Sequence, residues 1–111
     1  MNDGTNHGRW RRGALVLLAL TIGQAAPAVA DTDLARSKNC MACHAIDKKL
    51  IGPSYKDVAA KYATDQAAAG KLAKKIREGG VGAWGQIPMP ANPQVSEAEA
   101  ARLATWVLGH K

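Results

Sequence analysis

The pentapeptide Cys40-Met41-Ala42-Cys43-His44 constrains this chain more than any other stretch of it. C-x-x-C-H is the spacing for covalent attachment of a c-type haem. Each thiol can add across a haem vinyl group to form a thioether, and the adjacent histidine can ligate the iron. On a helical turn, positions i, i+3 and i+4 share one face, so Cys40, Cys43 and His44 can all meet a single planar group. The competing reading is a Cys40–Cys43 disulfide of the thioredoxin kind, which sits beside a βαβ pattern. The flanks here are rich in Ala and Lys and read as helical, with no run of β-branched residues.

Residues 1–30 read as an export leader that is cleaved. Arg9, Arg11 and Arg12 form a basic region, an apolar run follows from Gly13 to about Ile22, and Ala28-Val29-Ala30 is an A-x-A cleavage site. The apolar run is shorter than the roughly 20 residues of a membrane span. Cleavage after Ala30 leaves residues 31–111 as one domain, placed in the periplasm. Lys and Arg then fall from 15 to 12 and Asp and Glu from 9 to 8, which leaves a net charge of about +4. Such a charge suits steering toward an acidic patch on a partner protein. Without a basic-aromatic stripe, nucleic acid is not an expected partner, and stable membrane insertion is not expected either. A domain this small gains little net stability from an apolar core alone. A covalent haem supplies the missing apolar surface, so the haem-free chain is expected to be largely unfolded.

The expected fold is all-α, about four short helices around one covalently attached haem. The first helix is expected over residues 31–45, capped by Thr32 or Asp33 and closed by the haem motif. A loop ending at Gly52-Pro53 follows. Pro53 keeps its carbonyl acceptor, and a ligating histidine commonly donates its second ring N–H to such a group. An ordinary helix-breaking turn explains the same two residues equally well. Ser54 caps a second helix to about Tyr62, and Thr64 or Asp65 caps a third to about Glu78. Residues 79–94 carry four glycines and three prolines and show neither helix nor sheet period. Ser96 and Glu99 form a capping box for a last helix to about Gly109, with Leu103, Trp106 and Val107 on its buried stripe. That helix is expected to pack against the first.

The second axial position decides what the haem does. Met41 is tied inside the attachment loop, and His110 reads as a surface histidine on a solvated helix end. Met89 stands in Ile87-Pro88-Met89-Pro90, where two prolines stiffen the backbone around one side chain. His/Met ligation closes the iron on both sides, raises its potential and suits electron transfer. The alternative is a small haem enzyme or ligand sensor with a labile methionine ligand.

Cys40-Met-Ala-Cys-His44, Gly52-Pro53-Ser-Tyr55-Lys-Asp57-Val58-Ala59, Trp84-Gly85, Ile87-Pro-Met-Pro90 and Trp106-Val107-Leu108 together resemble the small bacterial class I cytochromes c of the cytochrome c-551 type. The resemblance spans nearly all of residues 31–111. It implies a periplasmic one-electron carrier, a monomer that serves nitrite reductase, a peroxidase or a terminal oxidase, and not an enzyme. It supports Cys40 and Cys43 as attachment sites, His44 and Met89 as ligands, and the Pro53 carbonyl as the partner of His44. Trp84 matches a tryptophan whose indole N–H bonds a haem propionate. Lys75 falls where some relatives carry a propionate-binding arginine, and lysine lacks the bidentate fork. Asn92 falls near an amide that bonds the ligand sulfur, in a loop one residue longer than usual, with Gln94 as the other candidate. Ala35 stands where some relatives have a bulky aromatic. A basic rim of Lys38, Lys48, Lys49 and Lys75 is the expected partner-facing surface.

Overall fold

The structure, a computed structural model, describes residues 4, 17–20, 23 and 27–111. Most of the expected leader lies outside the described residues. Among those residues no helix is long and apolar enough to cross a membrane. The chain forms α1 (Pro27–Ser37), a 3-10 turn (Cys40–Ala42), α2 (Tyr55–Lys61), α3 (Ala68–Glu78), a hairpin of β1 (Gly80–Gly82) and β2 (Gly85–Met89), and α4 (Glu97–Leu108).

The first helix departs from expectation at both ends. It starts at Pro27, where proline's fixed φ suits a helix start. It stops at Ser37 because Asn39 adopts the left-handed conformation, φ 63°, which asparagine tolerates better than other residues with a Cβ. The haem motif therefore occupies a separate tight turn. One helical turn survives there: the N–H groups of Cys43 and His44 both donate to the Cys40 carbonyl, at 3.2 and 3.0 Å.

Later caps follow sequence logic. The Ser54 hydroxyl accepts from the Asp57 N–H at 3.0 Å, and Ser96 and Glu99 form the full capping box. Asp65 does not cap α3 itself; from the turn before the helix its carboxylate accepts from the Ala67 N–H and from Lys71 of α3.

Residues 79–94, expected to lack regular structure, contain the antiparallel hairpin. Gly80 pairs with Met89 and Gly82 with Gly85, with an irregularity between the two pairs. Gly80, Gly82 and Gly85 all have positive φ. The ladder is thus built by glycine backbone rather than by side-chain alternation, which is why no period of two marks it.

The core centres on α4. Leu103, Trp106 and Val107 are buried as expected, with Tyr55 and Val58 of α2, Leu72 of α3 and Val95 ahead of α4. α4 packs most extensively on α3, then on α2 and α1. Ala35 of α1 and Ala100 and Ala104 of α4 are wholly inaccessible, and side chains this small allow close helix packing. With no phenylalanine in the chain, Tyr55 and Trp106 supply the aromatic bulk, in edge-on contact at 5.0 Å. Polar ties close the frame: Arg102 of α4 grips Asp31 of α1 through two nitrogens, at 2.8 and 3.1 Å. Arg77 of α3 reaches Glu97 and the Val95 carbonyl.

Candidate cofactor site

A cavity of about 690 Å³ opens between α2, α3, α4, the 3-10 turn and the hairpin. All eight residues singled out in the sequence line it: Cys40, Cys43, His44, Pro53, Lys75, Trp84, Met89 and Asn92. The rest of its lining is largely apolar and includes Val58, Leu72, Ile76, Leu103 and Val107.

His44 is the most firmly held of the eight. Its Nδ1 lies 2.7 Å from the Pro53 carbonyl oxygen, which sets that nitrogen as the protonated donor and leaves Nε2 as the free, basic one. The loop folds back because the Gly52 N–H donates to the Cys43 carbonyl and the Tyr55 N–H to the Ala45 carbonyl, at 2.8 and 2.9 Å. Gly52 is required here: a Cβ at that position would lie 2.5 Å from His44 Cε1. Tyr55 stacks on the imidazole with centroids 5.3 Å apart and planes 22° apart. Burial pushes the Tyr55 hydroxyl well above its usual range, with the Cys40 and Cys43 thiols adding to the effect.

Cys40 and Cys43 are free and half-buried. Burial raises the Cys40 thiol pKa, a backbone hydrogen bond opposes the rise, and the neighbouring Cys43 adds to it. Cys40 therefore stays a protonated thiol at neutral pH.

Met89 ends β2 and is half-buried. Its backbone presses on the C-terminus of α3, where Gly79 has φ 70° and a Cβ would collide with the carbonyl of Met89. Asn92 fixes the following loop. Its side-chain nitrogen donates to the Ile76 and Pro90 carbonyls, at 2.8 and 3.3 Å, and its Oδ1 accepts from Gln94 at 3.1 Å.

Trp84 sits at the hairpin tip and is 43% exposed. Two contacts hold it that sequence reasoning missed. Lys61, at the end of α2, donates to the Ala83 carbonyl at 2.6 Å and places its ammonium 4.4 Å from the Trp84 ring centroid. Nothing in the spacing of residues 61 and 84 signals this pairing. Of the expected basic rim, only Lys49 and Lys75 line the cavity. Lys48 is exposed, and Lys38 is engaged by Glu99 at 3.2 Å and by the Gln94 carbonyl at 3.0 Å. Met41 packs against the core cluster rather than lining the cavity. His110 departs from expectation: it is half-buried among Tyr55 and Trp106.

The family model for cytochrome c matches residues 32–111. The chain belongs to the cytochrome c family. It is 62% identical over 79 residues to cytochrome c-551 of Azotobacter vinelandii, covering 71% of this chain and 95% of that one. The solved structure of wild-type Nitrosomonas europaea cytochrome c552 superposes with a TM-score of 0.71 at 54% identity, over 72% of this chain and 99% of that one. The class 1 cytochrome MtoD from Sideroxydans lithotrophicus ES-1 gives a TM-score of 0.63 at 33% identity, over 78% and 98%. The fold is that of the class I cytochromes c, mostly helical with one small hairpin added. As a cytochrome c the protein is an electron carrier, not an enzyme.

Family membership implies covalently bound haem c, and the residues present fit such a group. The cavity has the volume of a small-molecule site and an apolar lining with few polar groups. Two free thiols and an oriented imidazole border it.

Proposed function

We propose that this cytochrome c is a periplasmic one-electron carrier whose haem is held by Cys40 and Cys43 as thioethers and by His44 Nε2 and the Met89 sulfur as axial ligands. One observation carries the reading: the Pro53 carbonyl fixes the His44 tautomer in a cavity that a lone methionine, Met89, also lines. Haem bound in this way supplies a ferrous/ferric couple with no open coordination position. The protein's own residues then do three things. His44 and Met89 keep the same ligand set through the redox cycle, so little reorganises. The apolar lining favours the less charged oxidation state. Trp84 and Lys75 act as the propionate-side donors, with Lys61 bracing the tryptophan. Asn92 is assigned the role of steadying the Met89 loop, and through it the ligand sulfur.

Residues 1–30 act in this reading as a leader removed after Ala30, and the remainder works as a monomer. Its partners are redox proteins of respiration or denitrification that present acidic surface. Lys48, Lys49 and Lys75 form the basic rim that steers them, and exchange with such a partner should slow as salt rises. Rates indifferent to ionic strength would remove the steering role. A pyridine haemochrome spectrum of the periplasmic fraction tests attachment and compartment together. Fast, tight binding of cyanide or imidazole to the ferric protein would instead favour a ligand sensor with a labile methionine.

A further inference from the structure

His110 follows the Gly109 cap of α4. Its Nε2 has no solvent contact and no hydrogen-bond partner. Buried polar atoms are nearly always paired, and leaving one unpaired costs stability. The ring meets Trp106 edge-on at 4.6 Å and stacks on Tyr55 at 5.9 Å with planes 22° apart. Tyr55 in turn stacks on His44. Two ring contacts thus separate a titratable nitrogen from the imidazole assigned to the iron.

We infer that His110 is a redox-linked proton site, binding a proton more tightly when the iron is ferrous than when it is ferric. The inference rests on the reading of His44 as an iron ligand. Histidine is the side chain whose ordinary pKa lies nearest neutrality. The titratable and charged groups facing it from α2 are Tyr55 and Lys56, Trp106 of α4 brings no charge, and Lys111 adjoins it along the chain. Burial, and then the Lys56 ammonium, push its pKa below the usual value. A proton on this ring is therefore weakly supported, and a change of charge two ring contacts away alters how tightly it is held. When a reducing partner delivers one electron, the iron site loses one positive charge, and Nε2 takes up a fraction of a proton from water. Linkage makes the effect reciprocal, so the reduction potential rises as pH falls through the His110 titration range.

The test uses the haem-loaded wild-type protein, following the His110 Cε1 proton by NMR through a pH titration in each oxidation state. The ferrous protein should bind the proton on the order of threefold more tightly or better. His110→Gln, with its covalent haem spectrum unchanged, should lose the matching part of the wild-type dependence of potential on pH. Equal proton affinities in the two states overturn the inference, as does a His110→Gln potential that still follows the wild-type curve. Reversible one-electron reduction of the same sample checks the carrier reading separately.

Discussion

Two segments carry the candidate ligands into the cavity, residues 40–55 and residues 79–94, and they are held in different ways. In the first, a backbone carbonyl and a packed ring hold the functional side chain. His44 is bonded to Pro53 and stacked on Tyr55, and Tyr55 is 4% exposed against Trp106 and the core. In the second, residues 81–88 are all exposed, and the segment is held by glycine backbone, a short ladder and reaches from elsewhere. Those reaches are Lys61 to the hairpin tip and the ties of Asn92 to α3. The His44 segment is part of the protein core; the Met89 segment is an arm whose apolar side chains, Val81 and Ile87 among them, lack protein to cover them. A large apolar disc seated in the cavity would supply that cover. The contrast assigns the two candidate ligands different roles, one preformed and one that is completed when the haem is in place.

Substitutions in the first segment, or in the α4 core that backs it, should therefore damage the whole fold. Trp106→Ala removes the ring that backs Tyr55 and His110 and should cost about 3–5 kcal/mol, a large share of a small domain's stability. Denaturant unfolding of the haem-loaded protein measures it, and a loss no larger than that of a hairpin substitution would erase the contrast. Gly52→Ala comes next. Its Cβ meets a ring that Pro53 and Tyr55 already hold, at an expected cost of about 1–3 kcal/mol. The haem absorption bands should shift as His44 moves; an unchanged spectrum would mean the loop gives way instead.

The second segment should respond locally. Lys61→Gln breaks a cation–π contact worth about 0.5–1 kcal/mol and weakens one hydrogen bond. Faster amide exchange confined to residues 80–88 is the expected signature, with Lys61→Arg retaining protection. Exchange that spreads into α4 would show that the arm and the core are one unit.

The smallest effects are those of acid. The Ser96 N–H, followed by Lys38, holds the Glu99 carboxyl below its ordinary value, so its contribution is present at neutral pH and is lost as pH falls through that lowered value. His110 is depressed too, so the unfolded chain binds its proton first and stability declines as pH drops below the ordinary histidine range. A stability profile flat from pH 7 to pH 5 would contradict a His110 ring whose proton affinity is lowered by folding. His110→Gln should remove that shallow decline and keep the steeper carboxylate loss.

What was legible in the sequence tracks the same contrast. C-x-x-C-H, Gly52-Pro53, Ser54 and the Ser96–Glu99 box act through neighbours a few residues away, and spacing along the chain shows them directly. Met89 stood out because two prolines flank it. The hairpin did not, since glycines with positive φ make its ladder without alternating side chains. The end of α1 was misplaced because one left-handed asparagine, not a glycine or proline, ends the helix. Lys61 was missed because its partners, Ala83 and Trp84, are distant in sequence. His110 was misjudged because a histidine at a helix end ordinarily points to water, and it is Tyr55, far away along the chain, that joins Trp106 in covering the ring. Both were settled by tertiary packing, which no local pattern encodes.

The central claim is that Met89 closes the iron from an arm that is not needed to build the fold. Met89→Ala in the haem-loaded protein, read by ferric near-infrared spectroscopy and potentiometry, tests it most directly. The account predicts that covalent haem and cooperative unfolding are kept, the methionine–iron charge-transfer band disappears and the potential drops sharply. A variant with the wild-type ferric spectrum and potential would contradict it.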